Sequence, residues 1–244
     1  RSTAEVYDPA TGTFAPTAAL PDQRRDCPCG ARNRLPWALK HATLLNDGRV
    51  FVAGGDVTGS GSGATLADVF DPNTERWSQL DIGCDAARGT QALLHDGRVL
   101  IVCVDGTGDV RARLFDPASR TFSEAAKPSA ADSKATALAD GRILLTGRDP
   151  IIYEPASDLF LALPPGPRPD QGQTGIDVGS GRVLFLGDEA VGQATLTFDD
   201  RSGTFAFGPA GFASADAVVA LGDGRILTVG DRLEARLLDP GHVP

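Results

Sequence analysis

A chain of 244 residues, 41% of them hydrophobic, is long enough for one large all-β domain or two small ones. Its net charge of −9 and pI near 4.8 disfavour nucleic acid and anionic membrane as partners. The longest apolar runs, such as Val99–Val104, are strand-sized and fall short of the roughly 18 residues of a membrane span.

In chain order, the first predicted elements are two short strands within Ala4–Pro16, joined by the acidic turn of YDPATGTF (Tyr7–Phe14). The segment Leu20–Lys40 follows and fits no repeat. From Ala42 a plan begins that then recurs. ATLLNDGRVFVAGG (Ala42–Gly55) is followed by ALLHDGRVLIVCV (Ala92–Val104) and ATALADGRILLTG (Ala135–Gly147). IDVGSGRVLFLG (Ile176–Gly187) and VVALGDGRILTVG (Val218–Gly230) complete the series. The Gly-Arg pair returns at Gly48, Gly97, Gly141, Gly181 and Gly224, in steps of 49, 44, 40 and 43 residues. A period of that size holds four short strands.

The residue chemistry assigns each strand. Asp-Gly between apolar runs predicts a two-residue hairpin turn joining strand one (Ala42–Leu45) to strand two (Val50–Ala53). Strand two is apolar without alternation in every copy, which implies burial on both faces. Strand three alternates, as in Ala67–Phe70. An acidic turn then closes it: DPATGTF (Asp8–Phe14), DPNTERW (Asp71–Trp77), DPASRTF (Asp116–Phe122), EPASDLF (Glu154–Phe160) and DDRSGTF (Asp199–Phe205). The carboxylate accepts bonds from turn amides, and the aromatic six places on anchors the outer strand. Tyr7 and Tyr153 fill the strand-three aromatic slot and read as core.

Four-stranded units that need neighbours to bury strand two form a β-propeller. YDPATGTF, VFDPNTERW and DGRVFVAGG resemble bacterial kelch repeats, the architecture that also houses proteins similar to galactose oxidase. The fold class is therefore all-β, a propeller of four-stranded kelch-like blades. The expected layout is a single domain over 1–244: a partial blade at 1–20, an insertion at 21–40, blades at 41–80, 90–125, 134–163 and 174–209, and an incomplete blade at 215–240. Five inner hairpins stand beside six third strands, at Tyr7, Phe70, Phe115, Tyr153, Phe198 and Leu238. That arithmetic favours a segment of a six- or seven-bladed ring over five blades with a displaced strand. A start at Arg1 and the absence of methionine likewise lead us to expect a processed or partial chain.

Function in a propeller sits where the two-to-three and four-to-one connections emerge, and Leu20–Lys40 is the longest such connection. It carries Arg24, Arg25, Arg32, Arg34 and Lys40 against Asp22 and Asp26, with Trp37 alongside and His41 at the head of the following strand. These are the candidate contacts for an acidic partner; the alternative is a solvated loop tied down by cysteines. All four cysteines, Cys27, Cys29, Cys84 and Cys103, map to this end of the blades. Disulfides in an extracytoplasmic chain are expected, with zinc or free thiols as lesser readings; four cysteines allow three pairings.

Catalytic constellations are thin. The resemblance to galactose oxidase implies two tyrosines, two histidines and a cysteine around copper, but Tyr7 and Tyr153 are committed to core. His95 lies in a hairpin turn at the opposite end and His242 near the terminus. A sialidase-type arginine cluster with a tyrosine nucleophile fails on the same tyrosines. GSGSG (Gly59–Gly63) leads into a strand, so no helix is present to hold phosphate. DGTGD (Asp105–Asp109) reads as a hairpin connection rather than a calcium loop. The expectation is a non-enzymatic, monomeric propeller without metal or cofactor that binds a protein or glycan. The alternative is a carbohydrate-active propeller enzyme of oxidase, sialidase or sugar epimerase type.

Overall fold

A computed structural model describes residues 5–8, 10–18, 41–54, 65–129, 133–147, 149–169, 175–186, 195–208, 217–221, 225–229 and 235–238. All regular structure there is β-strand. A hairpin of β1 (Glu5–Asp8) and β2 (Thr13–Pro16) precedes five sheets. The first sheet is β3 (His41–Leu44), β4 (Val50–Ala53), β5 (Leu66–Asp71) and β6 (Arg76–Asp81). The second is β7 (Asp85–Leu93), β8 (Val99–Val104), β9 (Val110–Asp116) and β10 (Thr121–Glu124). The third is β11 (Ser133–Ala137), β12 (Ile143–Gly147), β13 (Ile151–Glu154) and β14 (Leu159–Ala162). The fourth is β15 (Gly175–Gly179), β16 (Arg182–Phe185), β17 (Leu196–Asp199) and β18 (Thr204–Phe207). The fifth is β19 (Ala217–Ala220), β20 (Ile226–Val229) and β21 (Ala235–Leu238). Each sheet is an antiparallel meander of sequential strands, as the repeat predicts.

The chain divides into two compact units, Arg1–Ala131 and Asp132–Pro244. In the first unit, Phe51, Val69, Ile101 and Phe115 belong to one buried cluster spanning the first and second sheets, and the Phe51 and Phe115 rings stack at 4.7 Å. In the second unit, Leu144 and Ile152 of the third sheet pack with Val183, Phe185, Phe198 and Phe205 of the fourth. Ile176, Leu184 and Leu186 continue to Ile226 of the fifth. The second strands of the first four sheets are buried over most of their length, β12 completely, so the unbroken apolar runs mark strands packed on both faces.

The inner turns correct one expectation. Leu45 N–H donates to Arg49 O at 2.8 Å and Gly48 N–H to Leu45 O at 3.0 Å, and Gly48 has φ of 85°. This is a three-residue loop, a type I turn closed by a left-handed glycine, rather than a two-residue turn. The same bonds recur at Leu94–Arg98 and Leu138–Arg142. Only Ser180–Gly181, where aspartate is missing and both φ angles are positive, forms the two-residue connection among the described residues.

The acidic turns are built as read. Ala10, Asn73 and Ala118 N–H donate to Asp8, Asp71 and Asp116 at 2.8 to 2.9 Å, and Ser202 N–H donates to Asp199 at 2.8 Å. These amide bonds hold the Asp8, Asp116 and Asp199 carboxyls below the usual range. The aromatic partner stacks back across the hairpin, with centroids at 4.9 Å for Phe70–Trp77 and 5.0 Å for Phe115–Phe122.

Two features lay beyond the repeat reading. β7 starts at Asp85, five residues before the expected blade boundary at 90, because a bulge between Asp85 and Thr90 lets the strand run on. Tyr7 is not core: it is 51% exposed and its partner Phe14 66%, while Phe115 and Tyr153 in the same slot are at 0%. The cause is that β1 pairs with β2 alone among the described strands, so nothing there covers the hairpin's ring pair.

Candidate functional site

The connection-bearing ends of the sheets are held by short polar locks. In the Asp105–Asp109 connection, Asp105 accepts from Thr107 Oγ1 at 2.5 Å, from Thr107 and Asp109 N–H, and from Arg111 Nε at 2.9 Å. The Thr107 hydroxyl first, then the Arg111 guanidinium, drive its carboxyl far below the usual range. Both oxygens are engaged inside the loop, so this is a self-capped hairpin connection. Lys127 Nζ reaches Asp109 at 3.1 Å and Arg168 reaches Asp149 at 2.5 Å. In both cases the chain leaving a sheet's outer strand is tied by an ion pair to that sheet's own two-to-three connection.

Cys84, just ahead of β7, is bonded to Cys103 on β8, and both are buried in the cluster between the first and second sheets. For these two residues the disulfide reading holds over zinc and free thiol. Gly89 makes the approach feasible. A Cβ there would overlap the Val102 carbonyl oxygen and lie 2.9 Å from its carbon and 3.4 Å from Cys103 Cα. The backbones of β7 and β8 therefore close up beside the crosslink, where only glycine fits.

Arg24, Arg25, Arg32, Arg34, Trp37, Cys27 and Cys29 lie outside the described residues, as does GSGSG. The residues that flank the insertion are placed, and both reach the first sheet. Ala18 O accepts the Trp77 indole N–H at 3.1 Å on the outermost strand β6. His41 begins the innermost strand β3, opposite Ala53. The residue before the insertion thus touches the outer strand of this sheet, and the residue after it heads the inner one. His95 is exposed in its turn. No group of three or more His, Cys, Asp or Glu is arranged for a metal ion among the described residues. No helix there is long and apolar enough to cross a membrane.

Sequence reasoning missed the role of the repeated arginine. Arg49 pairs with Asp47 of its own turn at 2.6 Å and donates across the seam to Pro117 O at 2.7 Å. Arg142 repeats this in the second unit, pairing with Asp140 at 2.5 Å and donating to Asp200 O at 3.3 Å. The accepting carbonyl belongs in both cases to the residue after the turn acid. At these two positions the Gly-Arg arginine thus clamps one sheet to the next, and its period was the signal that could have revealed it. Asp200 stands where the other turn has proline, and its carboxylate also bonds Arg142. Burial, then repulsion from Asp140, raises its pKa above the usual value.

The sequence matches no family model and no curated protein. The structure is similar to that of YjhT, with a TM-score of 0.61 and 13% identity, covering 93% of this chain and 83% of that one. It is also similar to a catalytically inactive virginiamycin B lyase from Staphylococcus aureus solved with quinupristin. There the TM-score is 0.60 and the identity 12%, over 98% of this chain and 77% of the other. At such identities the likeness is one of fold alone, and with the five meander sheets it makes this chain a β-propeller.

Proposed function

We propose that this chain is a kelch-like, non-catalytic propeller that works outside the cytoplasm, binding a protein or glycan at the connection-bearing ends of its blades. The observation that carries the reading is the placement of the insertion's flanks, Ala18 bonded to Trp77 of the outer strand and His41 on the inner strand of one sheet. The four strands of that sheet already pair among themselves. Repeat-conforming polar groups have structural partners: turn acids cap amides, Arg49 and Arg142 clamp neighbouring sheets, and Asp105, Asp109 and Asp149 lock connections. The cationic and aromatic surplus is left in Arg24, Arg25, Arg32, Arg34 and Trp37, suited to an acidic protein or glycan. The buried Cys84–Cys103 bond supports an oxidising compartment.

Replacing Arg32, Arg34 and Trp37 together by alanine should weaken binding by several kcal/mol and reduce its salt dependence. Thermal stability should barely move. A glycan array and pull-down in which the triple variant behaves as the parent would sink the reading. The rival enzymatic reading draws on the lyase among the structural neighbours. Loss of quinupristin on incubation with the purified chain would favour it.

A further inference from the structure

A seam between neighbouring sheets is built here from two complementary halves. The donor half lies on the second strand, where the residue two places after the Gly-Arg arginine packs on the ring pair of the next sheet. Phe51 stacks on Phe115 at 4.7 Å and lies 6.4 Å from Phe122. Leu144 shares a buried cluster with Phe198 and Phe205. The arginine itself, Arg49 or Arg142, donates to the backbone of the acidic turn that carries that ring pair. The two halves therefore match at one apolar and one polar point.

The fifth sheet carries a donor half that stands open. Leu221 N–H donates to Arg225 O at 2.7 Å, the bond that also closes the turns before Arg49 and Arg142. Arg225 thus holds their position, and Leu227 holds that of Phe51 and Leu144. Ile226 packs with Ile176 and Leu184 of the fourth sheet, so Leu227, the next residue of the strand, faces the other way. It pairs with Val219 on one side and Leu237 on the other, an apolar row across three strands. Leu237 occupies the position where Val69 and Ile152 are buried, yet it is 48% exposed, and Val219 is 51% exposed. Arg225 is exposed as well. The β1–β2 hairpin is the opposite case, an acceptor half that stands open. Its ring pair, Tyr7 and Phe14 with centroids at 4.9 Å, is exposed, and Gly12 N–H donates to Asp8 O as Arg120 N–H does to Asp116 O. Glu5 and Pro16 share the ring face of the hairpin, farther from the turn.

We propose that the chain associates with itself, the β1–β2 hairpin of one copy docking on the open face of the fifth sheet of another. Tyr7 and Phe14 then cover Val219, Leu227 and Leu237, and Arg225 donates to the backbone of the Asp8 turn. A second copy is the occupant because it presents the acceptor half in the form that the two covered seams use, a ring pair and an acidic turn in one hairpin. Each copy contributes a different half, so the contact is heterologous and leaves a free half for a further copy. The result is an oligomer in place of the monomer expected from the sequence. Two rings and three aliphatic side chains bury less than the roughly 1,200 Å² of a standard interface. The net charge of −9 adds repulsion, so association is weak and strengthens as salt screens it.

Sedimentation velocity of the full chain, from micromolar to near-millimolar concentration, should show a weight-average coefficient that rises with concentration and rises further in added salt. Two variants each remove one half: Y7S/F14S at the hairpin and V219S/L237S at the fifth sheet. Each alone should sediment as a monomer, with a melting temperature close to the parent's because the changed side chains are exposed. Mixed in equal amounts they should associate again, since one supplies an intact sheet and the other an intact hairpin. Arg225→Ala, which removes no apolar contact, should weaken the association about fivefold, the worth of one hydrogen bond. A parent that stays monomeric throughout would overturn the proposal and leave the open sheet to another occupant. Variants that associate like the parent would overturn it too. So would a mixture of the two variants that stays monomeric, because the contact would then join like halves.

Discussion

Gly89→Ala is the sharpest single perturbation that the structure offers. The added methyl would lie 1.7 Å from the Val102 carbonyl oxygen and 2.9 Å from its carbon, and both belong to backbone rather than to a side chain able to rotate away. Val102 and Cys103 are fully buried, so β8 has no free space into which to retreat. Restoring van der Waals separation requires the two backbones to part by roughly 1–2 Å, given ordinary carbon contacts of about 3.5–4 Å. That shift opens the Thr90–Val102 pairing and pulls on the Cys84–Cys103 bond one residue away. Overpacking of this kind costs about 1–3 kcal/mol. Each buried backbone group left unpaired adds about 1–3 kcal/mol. A total loss of about 3–5 kcal/mol is therefore expected, a large part of the 5–15 kcal/mol typical of a domain. Urea denaturation of the oxidised protein, with intrinsic tryptophan fluorescence as the probe, measures it. The same variant in a Cys84→Ser/Cys103→Ser background should lose less, since the crosslink no longer pins the strands, and the non-additivity reports the coupling. A Gly89→Ala midpoint within error of the parent's would refute the close-approach argument.

Removing the crosslink alone, as Cys84→Ser/Cys103→Ser, should cost about 3 kcal/mol from the chain-entropy cost of a closed loop of about twenty residues, and reductant should lower the parent to match. Unchanged midpoints after verified reduction would contradict it. Asp200→Asn tests the clamp at Arg142. Because the folded Asp200 pKa is raised, ionising it costs stability as pH climbs from the unfolded value of 3.8 through the folded one. The asparagine variant should thus gain on the parent above that window, by less than about 1 kcal/mol after screening, and lose the advantage below it. A variant–parent difference that is flat between pH 3 and 6 would rule this out. Glu75 holds φ of 54° in a turn position that glycine occupies at Gly12 and Gly203. Glu75→Gly should therefore stabilise by about 0.5–1 kcal/mol, and a lowered melting temperature would show that the relief of left-handed strain is outweighed.

The repeat was legible because its causes are local. Turn acids cap the amide two or three residues on, glycine closes the inner turn and an aromatic stacks across its own hairpin, so each copy carries its instructions within a few residues. The strand order and the buried second strands followed directly. Where a neighbour intervened, the sequence fell short. Tyr7 and Tyr153 occupy the same slot with the same chemistry, yet one is exposed and the other buried, because burial depends on what covers the hairpin. Four cysteines left three pairings open; the Cys84–Cys103 bond rests on a bulge in β7 and a glycine that lets two backbones meet. The Gly-Arg pair showed only a period in the sequence; the reach of Arg49 and Arg142 to the next sheet's turn carbonyl is a contact of the folded chain. Local bonding is written in neighbouring residues, whereas burial and contact across a seam are properties of two strands that only the folded chain brings together.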